Sequence, residues 1–298
     1  MNNRVLDFSA EGVFLSIKHG QLVVKRESVE PVTVPMEDVA VVVVSHPGIT
    51  YTQAVLSELA AQGGIFVVCD GRRLPSAMLL PLEGHHLQRE RLELQVNAGL
   101  PEKKRAWQQV VQAKIRAQAA ALRVVHGSDA GLDALAAQVK SGDGDNLEGA
   151  AARRYWQALF PGGAFRRDRD AGGANELLNY GYAVIRAITA RAIAGAGLHA
   201  SLGIHHHNRY DAFCLADDLM EPFRPLIDIA VARLEADVIE AGLTPATKRL
   251  LLEAAGGRVL LEEERRSVFD AAALLAASLA AYYAGKRKKL LLPAVPED

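Results

Sequence analysis

The stretch LGIHHHNRYDAFCLADDLMEPFRP, residues 202–225, places three consecutive histidines shortly before a group of carboxylates. Asp218 and Glu221 are three residues apart, so on a helix their side chains share one face. Two carboxylates this close repel each other unless a proton or a cation lies between them. His206 can add a nitrogen ligand, which favours manganese-tolerant or zinc chemistry over a calcium site of oxygens alone. The alternative is a solvated helix face beside a surface loop.

The segment GDNLEGAAARRYWQAL, residues 144–159, contains a second candidate carboxylate. Asp145 or Asn146 can cap the helix that begins here, since either accepts a hydrogen bond from free backbone amides. Glu148 then falls in the first turn, where the helix dipole favours an anion, and this alone is a sufficient structural explanation. The small residues after Glu148 would nevertheless let a ligand or another helix approach closely, so a catalytic role stays open.

Four basic clusters lie in the C-terminal part of the chain: EKKRAW (102–107), RRY (153–155), FRRDRD (165–170) and KRKK (286–289). Each cluster alone is typical of a solvated face. Their shared location in the C-terminal part slightly favours a surface that binds the phosphates of a nucleic acid. The chain has no GxSxG elbow, no P-loop and no GxGxxG after a strand, and its histidines lack HExxH spacing. These absences disfavour several common enzyme classes, including the zincin proteases.

The composition is that of a globular protein, with 298 residues of which 50% are hydrophobic and 23% charged. A net charge of −1 does not favour a nucleic-acid partner, although local patches rather than totals bind phosphates. Cys69 and Cys214 lack CxxC spacing, which disfavours a disulfide framework and indicates a reducing compartment. No signal peptide and no apolar run of about 18 residues is found. We therefore expect a cytoplasmic protein without a membrane partner.

Two regions with different patterning predict an α+β protein. Residues 1–86 hold β-rich runs, a hairpin around His19 and Gly20, one helix, and four successive valines, Val41–Val44, typical of a strand buried on both faces. Residues 87–298 have helical spacing and predict a larger all-α domain. Its helices are expected near 87–97, 101–126, 129–140, 146–159, 174–197, 211–220, 224–242, 246–255 and 267–284.

Three segments in order, EGAAARRYW, LLNYGYAVIR and GLHASLGIHHHNRYDAFCLADDLMEPFRP, resemble a known family. It is the CRISPR-associated integrase/endonuclease family that captures new spacers, the larger of the two universal adaptation proteins. The pattern HHHN-x-Y-x-AF-x-LADDLMEPFRPLID is most similar to the type II branch, which accompanies a single large effector nuclease. The resemblance covers essentially the whole chain, and its motifs lie in the C-terminal part.

The resemblance implies a metal site in which Glu148, His206 and Glu221 hold Mg²⁺ or Mn²⁺ and are the catalytic residues. Asp218 is implied as a further ligand or as a support. The flanking histidines, His205 and His207, leave the register open by one residue. We add the hypothesis that three arginines hold DNA phosphates near the site: Arg153, Arg154 and Arg224.

The resemblance also implies a reaction and a set of partners. The chain would be a metal-dependent DNA endonuclease and integrase of adaptive antiviral defence, in which the 3′-hydroxyl of spacer DNA attacks a phosphodiester at the leader end of the repeat array. The implied partners are the spacer precursor and CRISPR repeat DNA, a second copy bound through residues 1–86, and the small second adaptation protein. The type II effector nuclease is a further expected partner.

Two other functions remain open at this point. A non-catalytic DNA-binding scaffold of the same fold would keep the arginines and lose the metal site. A metal-dependent hydrolase of small molecules would use the same ligands in a closed pocket and show no preference for DNA. Metal titration and binding to forked DNA distinguish these alternatives from an integrase.

Overall fold

The computed structural model describes residues 3–71, 75–81, 84–163 and 165–297. The chain divides into two compact units, Met1–Gly84 and His85–Asp298, close to the boundary predicted between residues 86 and 87. Sheets dominate the first unit and helices the second, which confirms the α+β prediction. The functions assigned to the two units from the sequence remain predictions.

Two four-stranded sheets form the N-terminal unit, with strand orders β1-β5-β7-β8 and β4-β3-β2-β6. In the first sheet β1, β5 and β7 run parallel, and β8 is antiparallel to β7. The elements are β1 (Arg4–Phe8), β2 (Phe14–Lys18), β3 (Gln21–Arg26), β4 (Val29–Pro35), β5 (Val39–Val44), β6 (Thr50–Tyr51), α1 (Gln53–Ala61), β7 (Ile65–Cys69) and β8 (Pro75–Leu79).

Two local predictions in this unit are confirmed. Every residue of β5 is buried, because the strand has a parallel neighbour on each side and packed faces above and below. The β2–β3 hairpin turns at His19 and Gly20, which both have positive φ values, 51° and 71°. Such turns match the twist of the flanking strands, and glycine adopts them without steric cost.

The C-terminal unit is helical, apart from one two-stranded hairpin. Its helices are α2 (Gln88–Asn97), α3 (Leu100–His126), α4 (Leu132–Gln138), α5 (Leu147–Leu159), α6 (Ala174–Gly195), α7 (Cys214–Met220), α8 (Arg224–Ala232), α9 (Ala236–Ala241), α10 (Pro245–Ala255) and α11 (Val268–Tyr283). None of the helices in the described part of the chain is long and apolar enough to span a membrane.

The structure differs from the prediction for residues 87–298 at two places. The segment predicted as one helix over 224–242 is two helices, α8 and α9. Residues after α10 form an antiparallel hairpin of β9 (Arg258–Leu261) and β10 (Glu264–Ser267). Its turn residues, Glu262 and Glu263, have φ values of 49° and 73°. Because glutamate rarely adopts positive φ, the sequence carried no turn signal here.

Helix α6 packs against α7, α8, α10 and α11 and so lies at the centre of the helical unit. Its close contact with α8 depends on Gly181, where an added Cβ would overlap Cγ2 of Ile227 and lie 3.0 Å from Cδ1 of the same side chain. The two helices therefore approach each other at a position where a larger residue does not fit.

We expect Gly181→Ala to lower the free energy of unfolding by about 1–3 kcal/mol, because the added methyl forces α6 and α8 apart. Gly195→Ala, at the end of the same helix with no atom within 4 Å of the added Cβ, is the matched control and should be neutral or slightly stabilising. Urea unfolding of both variants measures the difference. Equal stability of the two variants would contradict this view of the α6–α8 contact.

Candidate active site

Asp218 is fully buried and holds the backbone of the histidine segment. Its carboxylate accepts hydrogen bonds from the backbone N–H groups of Ile204 (2.6 Å), His205 (3.0 Å) and His206 (3.2 Å). It also contacts Nδ1 of His206 at 2.6 Å. This last bond raises the pKa of His206 above its ordinary value, although burial opposes the rise. With Nδ1 bonded to Asp218, the ring has Nε2 available for a ligand.

Gly203 allows this tight wrapping of backbone around a carboxylate. An added Cβ would overlap the carbonyl oxygen of His206 and lie 2.9 Å from Oδ2 of Asp218. The C-terminal side of the segment is braced by Arg186, which pairs with Asp211 and Asp217 at 2.7 Å each. Asp217 therefore points away from the partners of Asp218.

The three histidines have different surroundings. His205 stacks on Trp107 with ring centroids 4.4 Å apart and an interplanar angle of 4°. His207 contacts the carbonyl oxygen of His205 through Nδ1 at 2.7 Å. His206 is the member whose ring is oriented by a buried carboxylate, and this favours the register chosen from the sequence.

Glu148 lies in the first turn of α5, but other residues cap that helix. Asn146 accepts a hydrogen bond from the N–H of Gly149 at 3.2 Å, and Asp143 accepts from those of Leu147 and Glu148. Asp145 pairs with Lys140 at 3.1 Å instead of capping. Because the helix end is already satisfied, the Glu148 side chain is not needed there and reaches a cation on α3.

Glu221 lies between α7 and α8, in the short 3₁₀ turn Glu221–Phe223, and is only 4% exposed. Its Oε1 accepts a hydrogen bond from Nη1 of Arg224 at 2.7 Å. Burial alone would raise the pKa of Glu221, but Arg224 and Lys114 outweigh it and lower the pKa to about 2. Glu221 is therefore an ionised carboxylate held inside the helical unit.

Lys114, on α3, joins the two glutamates. Its Nζ lies 2.6 Å from Oε1 of Glu148 and 2.6 Å from Oε2 of Glu221, and the side chain is 13% exposed. Sequence reasoning missed this residue, since a lone lysine in a helix is usually solvated. One feature of the sequence did indicate burial. Lys114 lies four residues after Val110 and four before Gln118, and both of these are buried on the same helix face.

The structure thus places Glu148, Glu221 and the ammonium of Lys114 in direct contact, and Asp218 separately orients the His206 ring. Among the described residues, no three histidine, cysteine or carboxylate side chains form a group ready to hold a metal ion as they stand. Two carboxylates and the free Nε2 of His206 are nevertheless a donor set suited to Mg²⁺ or Mn²⁺. Both oxygens of Asp218 are occupied by hydrogen bonds, and of its two predicted roles, metal ligand or support, this favours the support.

The three arginines proposed as phosphate contacts differ in exposure. Arg224 is paired with Glu221, and its guanidinium lies 4.1 Å from the ring centroid of Tyr182. Arg153 and Arg154 are exposed on α5. Arg224 is therefore placed to hold Glu221, whereas the other two are accessible to a large ligand.

We expect Asp218→Asn to lower the pKa of His206 by about one pH unit, because a neutral amide no longer stabilises the imidazolium. The buried amide also cannot match three backbone donors, so stability should fall by about 1–3 kcal/mol. NMR titration of the His206 ring in metal-free protein measures the first effect. Asp237→Asn, an exposed aspartate on α9, is the control. An unchanged titration midpoint in Asp218→Asn would show that this contact does not control the ring.

Comparison with known proteins identifies the family. The family model for CRISPR associated protein Cas1 matches residues 8–265. The CRISPR-associated endonuclease Cas1 of Neisseria meningitidis serogroup C (strain 8013) is 40% identical over 243 residues, which is 80% of this chain and 79% of that protein.

Solved structures share the fold. A casposase bound to integration product has a TM-score of 0.78 at 20% identity. The aligned region covers 96% of this chain and 92% of the casposase chain. A chain of a Cas6-RT-Cas1–Cas2 complex has a TM-score of 0.69 at 16% identity, over 96% of this chain and 35% of that one. The family match, the Neisseria relative and this shared fold confirm the resemblance seen in the sequence motifs, and the chain belongs to the CRISPR-associated Cas1 family.

Proposed function

We propose that the protein is a metal-dependent DNA integrase and endonuclease that inserts new spacer DNA into a CRISPR array in antiviral defence. The observation that carries the proposal is that two carboxylates from separate elements, Glu148 and Glu221, meet at the ammonium of Lys114. A casposase of the same fold bound to integration product, and relatives named endonucleases, support this choice.

Glu148 and Glu221 would hold Mg²⁺ or Mn²⁺ through carboxylate oxygens, and His206 through Nε2. When bound, such an ion supplies a Lewis acid beside the scissile phosphate. The remaining residues act by position: Arg224 fixes the Glu221 carboxylate at 2.7 Å, and Asp218 fixes the His206 ring. The protein thus supplies orientation and charge stabilisation.

The reaction proposed for this site is a transesterification. The 3′-hydroxyl of the incoming strand forms a new bond to phosphorus, and the bond from that phosphorus to the 3′-oxygen of the repeat strand breaks. The proton of the attacking hydroxyl leaves, and the departing oxygen gains one. With water in place of the 3′-hydroxyl, the same site would act as an endonuclease.

A cavity of about 320 Å³ lies beside His206. Its walls combine the lysines Lys103 and Lys104 of α3 with Trp107 and residues 203–207. Lysine ammonium groups bind phosphate and carry no base preference, so this wall suits a DNA backbone. The lysine wall therefore supports a substrate that carries phosphates, as DNA does.

The partners are part of the same proposal. A chain of similar fold occurs in a complex with Cas2, which supports the small second adaptation protein as a partner. Spacer precursor and repeat DNA would be the substrates. Homodimer formation through the N-terminal unit and association with the type II effector nuclease are proposed from the resemblance alone.

Strand transfer tests the proposal directly. Protein with and without the small adaptation protein is incubated with a short labelled duplex, a repeat-containing plasmid and Mn²⁺. We expect metal-dependent joining of label to plasmid, reduced at least about a hundredfold in Glu148→Gln and in His206→Ala, because either change removes a metal ligand. Glu240→Gln, an exposed glutamate on α9, is the matched control and should keep full activity.

Three other results would contradict the proposal, and each would support a different interpretation. Joining that persists in Glu148→Gln would exclude the proposed ligand set. DNA binding without joining under any condition would indicate the non-catalytic scaffold. Cleavage of small phosphodiesters with no preference for DNA would indicate the small-molecule hydrolase.

The exposed arginines of α5 give a separate prediction. Arg153→Gln and Arg154→Gln should each weaken DNA binding and reduce the slope of log K against log salt by about 1, because one phosphate contact is lost. Arg89→Gln on α2, where the arginine pairs with Glu93, is the control and should keep the wild-type slope. A slope unchanged in both α5 variants, measured by fluorescence anisotropy across salt concentrations, would remove these arginines from the DNA-binding surface.

A further inference from the structure

Lys114 occupies the position between the two carboxylates that a divalent cation would also need. Its Nζ lies 2.6 Å from an oxygen of each glutamate, Glu148 and Glu221, and its side chain is 13% exposed. An ammonium in contact with two carboxylates keeps its charge, and Lys114 thus neutralises part of the carboxylate pair in the metal-free protein.

The charges at this point are balanced without a metal. Lys114 and Arg224 supply two positive charges, and Glu148 and Glu221 supply two negative ones. A divalent cation that contacted the same carboxylate oxygens would lie directly against the ammonium, and two cations this close repel each other strongly. Arg224 stays bonded to the other oxygen of Glu221, so Lys114 is the cation that blocks the shared position.

A second observation shows where the ammonium can go. Oε1 of Gln118 is buried and has no hydrogen-bond partner among the described residues. Gln118 lies four residues after Lys114 on α3, so the two side chains are neighbours on one helix face. Both line one cavity of about 80 Å³ next to Glu221. A buried acceptor without a donor is unfavourable, and an ammonium from the adjacent turn would satisfy it.

We propose that Lys114 is a positioning residue with two places, bridging Glu148 and Glu221 in the metal-free protein and turning to Gln118 when a divalent cation binds. The inference rests on the proposed metal-dependent function and adds to it an exchange of one cation for another. Lys114 keeps the carboxylates together before the metal arrives and competes with it for them.

Metal binding to Lys114→Met tests the exchange, with Mn²⁺ as the probe and titration calorimetry as the measurement. We expect the Kd for Mn²⁺ to fall about tenfold or more, because the competing ammonium is gone. The metal-free variant should melt at a lower temperature than the metal-free wild type, since two carboxylates lose their counter-ion. Added Mn²⁺ should restore the loss. Lys140→Met, where an exposed lysine pairs with Asp145, is the control and should keep the wild-type Kd.

A Kd that is unchanged or higher in Lys114→Met would overturn the proposal, because the lysine would then assist the metal site or not affect it. Lys114→Gln, which is shorter and polar, provides the same comparison if the methionine variant does not fold. Failure of both wild type and variants to bind Mn²⁺ would reject metal-dependent chemistry as well. Binding by the wild type without tightening in the variant would reject the exchange alone.

Gln118→Leu tests the second position of the ammonium. In the wild-type background we expect the Kd for Mn²⁺ to rise severalfold, because the displaced ammonium loses its acceptor. In the Lys114→Met background the same change should have no effect on the Kd, since no ammonium needs a place. This non-additivity is the signature of the exchange. Equal weakening in both backgrounds would show that Gln118 acts on the site by another route.

Discussion

An ionised carboxylate buried inside the helical unit, that of Glu221, is the constraint on which the site depends. Removing such a charge from water costs several kcal/mol unless counter-ions and hydrogen bonds replace the lost hydration. One counter-ion comes from α3 through Lys114, and the other from the start of α8 through Arg224. The helices α3 and α8 must therefore stay close to the turn that carries Glu221. Glu148 brings α5 to the same point through its contact with Lys114.

A second polar cluster, around Asp228, joins α5 and α8 to α6. Asp228 of α8 is 2% exposed and accepts hydrogen bonds from the phenols of Tyr155 (2.8 Å) and Tyr182. Burial raises the pKa of Asp228 to about 6, although these two bonds oppose the rise. The ring of Tyr182 also supports the guanidinium of Arg224. Because Tyr155 and Glu148 belong to one helix, the contact with Asp228 also fixes the helix that delivers the second carboxylate.

The sequence predicted what depends on local pattern and on residue type. Long apolar-periodic segments identified nearly all the helices, and Val41–Val44 identified the central strand. The residues Glu148, His206 and Glu221 could be chosen from the motifs that resemble a known family, because residue chemistry alone also explained Glu148 as a charge in the first turn of a helix. Lys114 could not, since its two partners lie far along the chain and nothing local distinguishes it from a solvated lysine. The ion pair between Arg224 and Glu221 could not be predicted either, because that contact is set by tertiary packing, and a DNA contact of Arg224 stays a prediction.

In our proposal the candidate site has two parts: a histidine held in a fixed orientation, and a carboxylate pair at which one cation can replace another. His206 is oriented by Asp218, whose carboxylate is bonded to three backbone amides, and none of these contacts involves Lys114. The two glutamates, in contrast, are held together by the ammonium of Lys114, which a dication would replace in the proposed exchange. In the proposed metal site the His206 ring would therefore need no ordering when a cation binds, and binding free energy would not be spent on that loop. The cation would instead have to displace a buried ammonium, so its affinity for carboxylates rather than for nitrogen would decide whether the site fills.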